Sequence, residues 1–251
     1  MSRTNNTDRP RNPATMFIKW GSDAKSWTTY VKDDNGGHTI NIPVETPFIV
    51  LDQLQTVSGF DESSGTGFWG NEVRHNDDLI TLKSGKKTVM TGTWAEIKST
   101  TGTKFTSSIY AMAKIDGEYK MVNFQLSGAA LSGWFDFLES IGGKGKVYGD
   151  NVIAVTSTEE GKKGRVTFSI PRFEIISTSL SDEAHDQADA MDRTLQEYLG
   201  TYIEQKTSPA YDEDEPEEQT KDDGGFQTDP EDNLDMGGAP VDDDDPDSLP
   251  F

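Results

Sequence analysis

Charge is segregated along this chain, and the segregation restricts where it can fold. Residues 207–251 hold 17 Asp and Glu against one base, Lys221, while residues 1–206 hold 27 acids and 22 bases. A like-charged block with Pro and Gly and almost no apolar periodicity cannot bury enough surface to offset its conformational entropy, so it reads as a disordered, interaction-prone tail. The net charge of −21 therefore belongs mostly to an appendage, and residues 1–176 carry 20 charges of each sign. About 206 residues suffice for one sizeable core. A whole-chain pI near 4.4 does not exclude a polyanionic ligand, because local charge decides that.

Residues 1–14 read as a flexible basic arm. From about residue 15 to Ile176 the chain is rich in Thr, Val, Ile and aromatics, punctuated by Gly, Asn and Asp, which are strand and turn signals. Strands are expected near 25–32, 38–51, 68–75, 79–83, 88–98, 104–115, 118–127, 152–157 and 166–176. Asp116-Gly117 between two of them is the strongest hairpin signal. Leu131, Trp134, Phe135 and Leu138, spaced i, i+3, i+4 and i+7 after Ser127, predict one inserted amphipathic helix ended by Gly142-Gly143, with Trp134 and Phe135 in the core. A second helix is expected over about 181–203, apolar along Leu195, Leu199 and Tyr202 and acidic outside. Many antiparallel strands with one late helix suit an elaborated OB-type Greek-key barrel, and suit a β-sandwich nearly as well.

The chemistry the chain lacks is informative. It has no cysteine, and its three histidines, His38, His75 and His185, are scattered, so neither a disulfide framework nor a zinc site is expected. No Gly-rich phosphate loop ends in Gly-Lys-Ser/Thr. Asp33-Asp34-Asn35-Gly36 resembles part of a calcium loop but lacks the later Glu, and reads as a turn. No cofactor, metal or catalytic constellation is expected, and a non-enzyme is the consequence. No run of 18 apolar residues could span a membrane. Met1 to Pro13 is polar, with three Arg and no apolar stretch, and does not read as a signal peptide. A cytoplasmic location is expected.

Unspecific binding of unpaired nucleotides needs cations for phosphates and flat rings for bases. The segment 104–115 alternates between Phe105, Ser107, Ile109, Ala111, Ala113 and Ile115, which suit a core, and Lys104, Thr106, Ser108, Tyr110, Met112 and Lys114, which suit either a binding face or a plain solvated one. Trp27 and Tyr30, on opposite faces of one strand and flanked by Lys25 and Lys32, repeat the theme. So do Lys83, Lys86 and Lys87 before Trp94, the cluster Lys162, Lys163 and Arg165 in a turn, and Lys144 with Lys146. Phe68-Trp69 follows the Gly-rich 63–67 segment and reads equally as a base clamp or as a loop pinned to the core. The stacking candidates are thus Trp27, Tyr30, Phe68, Trp69, Trp94 and Tyr110. The phosphate candidates are Lys83, Lys86, Lys87, Lys104, Lys114, Lys162, Lys163 and Arg165.

The chain ends in Asp242, Asp243, Asp244, Asp245, Pro246, Asp247, Ser248, Leu249, Pro250 and Phe251. Charge alone would keep such a tail solvated, so its apolar tip needs a separate reason. An acidic run closed by Leu-Pro-Phe resembles the ending of the single-stranded DNA-binding proteins of bacteria and their phages, although Pro246 and Ser248 interrupt the acid. The resemblance covers about ten residues. It implies an OB fold over residues 15–206, binding of single-stranded DNA in replication, recombination and repair, and recruitment of partner proteins by Asp242–Asp245, Asp247, Leu249, Pro250 and Phe251. It leaves room for homo-oligomers or cooperative assembly on DNA, and points to a bacterial virus and its host's cytoplasm. The alternatives are a β-sandwich structural or interaction protein, such as a virion component, with a solubilising tail, and an acidic DNA mimic, against which the lysines of 104–114 weigh.

Overall fold

A computed structural model describes residues 11–33 and 36–207. The basic arm up to residue 10 and the acidic tail with its Leu249-Pro250-Phe251 tip lie outside the described residues. The chain is mainly β. In order it forms β1 (Met16–Gly21), β2 (Ser26–Asp33), β3 (Gly36–Ile42), β4 (Phe48–Asp61), β5 (Thr66–Gly70), β6 (Ile80–Ser84), β7 (Lys87–Gly92), α1 (Trp94–Ile97), β8 (Thr103–Ile115), β9 (Glu118–Ser127), α2 (Gly128–Ser140), β10 (Val152–Lys163), β11 (Val166–Ser177) and α3 (Asp182–Thr207).

Local chemistry accounts for most boundaries. Asp116 and Gly117, at φ 55° and 84°, supply the two left-handed residues that a two-residue hairpin needs between β8 and β9. Three expected strands need correction, and β1 was not among those expected; the strand expected over 68–75 ends at Gly70. The strand expected over 38–51 is two strands, because Pro43 cannot donate to a ladder and the Val44 carbonyl accepts from the Trp27 indole at 3.2 Å. The strand expected over 88–98 ends at Gly92. There the Glu96 carboxylate accepts from the Thr93 backbone N–H at 2.7 Å and starts the turn of α1.

All eleven strands belong to one mixed sheet, ordered β3-β2-β1-β9-β8-β4-β5-β6-β7, with β10 pairing the start of β4 and β11 pairing β10. It is one sheet and is not closed into a barrel, which corrects the barrel closure and the two-sheet sandwich expected from the sequence. The reason lies at the seam. β1 takes the edge of β9 in parallel, through Met16↔Val122 to Ile18↔Phe124, where a closing strand would pair. β1 and the turn after it meet β11 through side chains and not through a ladder: the Trp20 indole donates to the Ser169 carbonyl at 3.0 Å, and the Ser169 N–H donates to Ser22 Oγ at 2.8 Å. Pro171 further along β11 has no N–H to extend a ladder.

The main core lies on one face of β1, β2, β4, β8 and β9, closed by β10, β11 and α2. It contains Trp27, Phe48, Ile109, Phe124, Trp134 and Phe173. α2 approaches β11 closely at Gly133, where a β-carbon would overlap the Pro171 carbonyl oxygen. Trp134 is fully buried, as expected, and Phe135 packs against the same cluster.

The opposite, outer face is covered in its middle by α3. Ala184 and Ala188 pack on Ile49 and Met112. Leu195, Tyr198 and Leu199 pack on Leu54, Tyr110 and Met121. The Glu72 backbone N–H then donates to the Tyr202 hydroxyl at 3.0 Å. α3 thus runs along β8 from Met112 towards the Lys104 end. None of the described helices is long and apolar enough to cross a membrane.

Candidate nucleic-acid interface

Residues directly opposite each other in a sheet share a face. On the outer face, Lys104 of β8 pairs with Ser58 of β4, Ser58 with Trp69 of β5, and Trp69 with Lys83 of β6. Four adjacent strands therefore carry the row Lys104–Ser58–Trp69–Lys83, all half-buried at a surface that α3 does not cover. Phe60, two residues beyond Ser58, falls on the same face. The inner face beneath is apolar: Val57, Phe68, Leu82 and Ile97 form its core, with Met90 and Trp94 against them. That packing is why the outward set is held flat.

The row has the two elements needed to hold unpaired nucleotides. The Lys83 ammonium lies 5.0 Å from the centroid of the Trp69 ring, and the Trp69 indole donates to the Gly85 carbonyl at 3.3 Å, which fixes the ring's orientation. Lys86 and Lys87 are exposed at the adjoining β6–β7 turn. Hydroxyls fill the space between the cations, with Ser58 Oγ and Thr106 Oγ1 2.7 Å apart. Asp61, at the end of β4, turns into its own loop. Hydrogen bonds from the hydroxyls of Ser63, Ser64 and Ser84 hold its carboxyl well below the usual carboxylate range.

Several sequence candidates lie elsewhere. Trp27 and Tyr110 are fully buried and Phe68 nearly so, none able to stack on a base. Trp27 belongs to the main core, where its ring meets Trp20 edge-on at 5.1 Å. Phe68 points inward from the strand that sends Trp69 outward, so the pinned reading holds for Phe68 and only Trp69 is left at the surface. Trp94 is engaged with Phe105 at 5.5 Å. The alternation read from 104–115 is correct in phase, but α3 and the 71–74 segment cover its outward set from Thr106 to Met112. Of that strand's binding candidates, only Lys104 and Lys114 reach solvent, the latter 5.1 Å from the Tyr119 ring. Lys162, Lys163 and Arg165 cluster at the tip of a separate hairpin, β10–β11, and exposed Tyr30 lies on β2. The tail residues Asp242–Asp245, Asp247, Leu249, Pro250 and Phe251 lie outside the described residues.

The sequence reading missed Ser58 and Phe60. The signal was present, since 48–61 is one long strand whose alternation continues past residue 51. It also missed the polar cluster under α3. The half-buried Glu72 has its carboxylate enclosed by donors from Ser108, from Tyr110 at 2.7 Å and from Asn123 at 3.4 Å. Burial nonetheless pushes its pKa up, and the charge of Asp52 adds to the rise. Asp52 is bound by Arg74 at 3.1 Å and by Gln196 of α3 at the same distance. Lys144 caps the Gln53 carbonyl on the edge of β4 at 3.3 Å, and burial lowers its pKa. These carboxylates lie under the helix, apart from the Lys104–Lys83 half of the face. Among the described residues no group of His, Cys, Asp and Glu could hold a metal ion.

No family model, no curated protein and no solved structure matches this chain.

Proposed function

We propose that the protein binds single-stranded DNA without sequence preference, in replication, recombination and repair, and that its acidic C-terminus recruits partner proteins. The observation that carries this is the row Lys104–Ser58–Trp69–Lys83: an oriented indole on one face with ammonium groups on the strands to either side. Stacking contributes about 1–3 kcal/mol per base. Each phosphate contact adds about −0.7 to the log–log salt slope on a single strand. The OB-type reading draws support from the spatial run β9-β8-β4-β10-β11, with α2 inserted between β9 and β10. That type is a partly open five-stranded barrel that binds on its second and third strands, here β8 and β9. In this chain α3 moves the accessible part of that face towards Lys104.

The tail has two roles in this reading. It competes with DNA for the cationic strip, and its tip, once displaced, engages partners. The direction of α3 supports the first role, because its last turns lie over Glu72 and start the tail on the strip's side of the sheet. Titration of the intrinsic Trp fluorescence with oligo-dT at two salt concentrations tests the proposal. Quenching that weakens at high salt, and is lost in Trp69→Ala, is the expected result. Unchanged emission and mobility with saturating oligo-dT would overturn it.

A further inference from the structure

A second aromatic surface lies on the same outer face, four strands away from Trp69. In β1 and β2 the inward residues Ile18, Trp27 and Thr29 are buried, so Phe17, Lys19, Thr28, Tyr30 and Lys32 face outward. Phe17 and Tyr30 are 44% and 43% exposed, high values for rings held in the interior of a large sheet. Ile18 pairs with Thr29, which brings the two rings side by side on neighbouring strands. Their setting is built for a flat ring. Tyr30 lies across β3 over Gly37, where a β-carbon would overlap its hydroxyl, so the ring rests on the backbone and presents its other face outward. The remaining outward residues of this wing, Thr28, Thr39 and Asn41, are polar and uncharged. The nearby α3 residues Ala190, Met191 and Thr194, which share a shallow pocket with Pro13 and Thr15, add no acid.

We infer that Phe17 and Tyr30, with Lys19 and Lys32, form a second stacking platform for unpaired bases, set apart from the Trp69 row by α3 and reached by the same DNA strand. This rests on the proposed single-strand binding and extends it. Paired rings beside ammonium groups suit nucleotides, which present both a π-face and a phosphate. β1 and β5 are four strand spacings apart, roughly 19 Å across the sheet, so one strand reaches both platforms only if it is long enough.

The test uses the full chain and fluorescently labelled oligo-dT of two lengths, about 8 and about 30 nucleotides, at the limits of what one such fold covers. Phe17→Ala with Tyr30→Ala should weaken binding of the long ligand at least about fivefold per ring while leaving the short one unchanged. Trp69→Ala should weaken both. Tyr30→Phe should retain the affinity that Tyr30→Ala loses, and circular dichroism and melting establish that each variant is folded. A folded double variant that binds the long ligand as the wild type does overturns the second platform alone, provided Trp69→Ala is impaired. If the wild type binds neither ligand, the proposed function fails with it.

Discussion

Glu72 is the residue at which folding and chemistry conflict most. Three donors surround its carboxylate, yet enclosure under α3 outweighs them and raises its pKa. Below the ordinary carboxylate value, folded and unfolded chains both hold the proton and Glu72 contributes nothing to pH dependence. Above it the unfolded chain releases the proton first, so stability falls as pH rises until the folded carboxyl ionises too. Each unit of upward shift costs about 1.4 kcal/mol at high pH. Glu72→Gln removes that cost, and its amide can donate to Asn123 Oδ1, which is buried without a partner among the described residues. Its melting temperature should exceed the wild type's at pH 8 and converge with it near pH 4. A variant less stable at pH 8 would show that the charged form is the one the site is built for. Tyr110 shows why the sequence misled at this scale. Its position in the alternation is outward, and only a helix that begins about 70 residues later decides that outward there means buried.

At the scale of elements, the strands other than β1, the Asp-Gly hairpin and both long helices were legible, because each is written in local periodicity and turn chemistry. The ends were less so. Pro43 divided a run that looks continuous in hydrophobicity, and the Thr93–Glu96 pair turned an apolar stretch into α1. What α3 covers was not legible, since its apolar side is read without its partner. Its docking makes a sharp prediction about truncation. Ending the chain after Thr207 leaves every described contact of α3 in place, and the melting temperature should be unchanged. Ending it before Asp182 exposes Leu54, Tyr110, Met112 and Met121 together, and should cause aggregation or loss of cooperative melting. Equal melting behaviour of the two truncations would mean that α3 does not secure the sheet.

For the molecule as a whole, the separation of a cationic strip from an anionic tail sets how binding responds to salt. Lys83→Ala and Lys104→Ala should each reduce the magnitude of the log–log salt slope on oligo-dT by about 0.7. Removal of residues 208–251 should raise affinity at low salt, by a margin that shrinks as salt is added. Replacement of Phe251 should leave oligo-dT affinity intact and abolish partner pull-down. Tail removal without effect at low salt would argue against competition, and loss of both activities on replacing Phe251 would argue against a separate partner role.

The junction between the β1–β2 turn and β11 carries one more consequence. Trp20 and Ser22 hold Ser169 by three-dimensional fit of side chains, with no run of strand-to-strand amide bonds to unzip. Between the wing and β11 the core therefore does what a ladder would do elsewhere, with the Trp27 ring 6.1 Å from that of Phe173. The β1–β2–β3 wing is anchored by that burial together with the three paired positions it shares with β9.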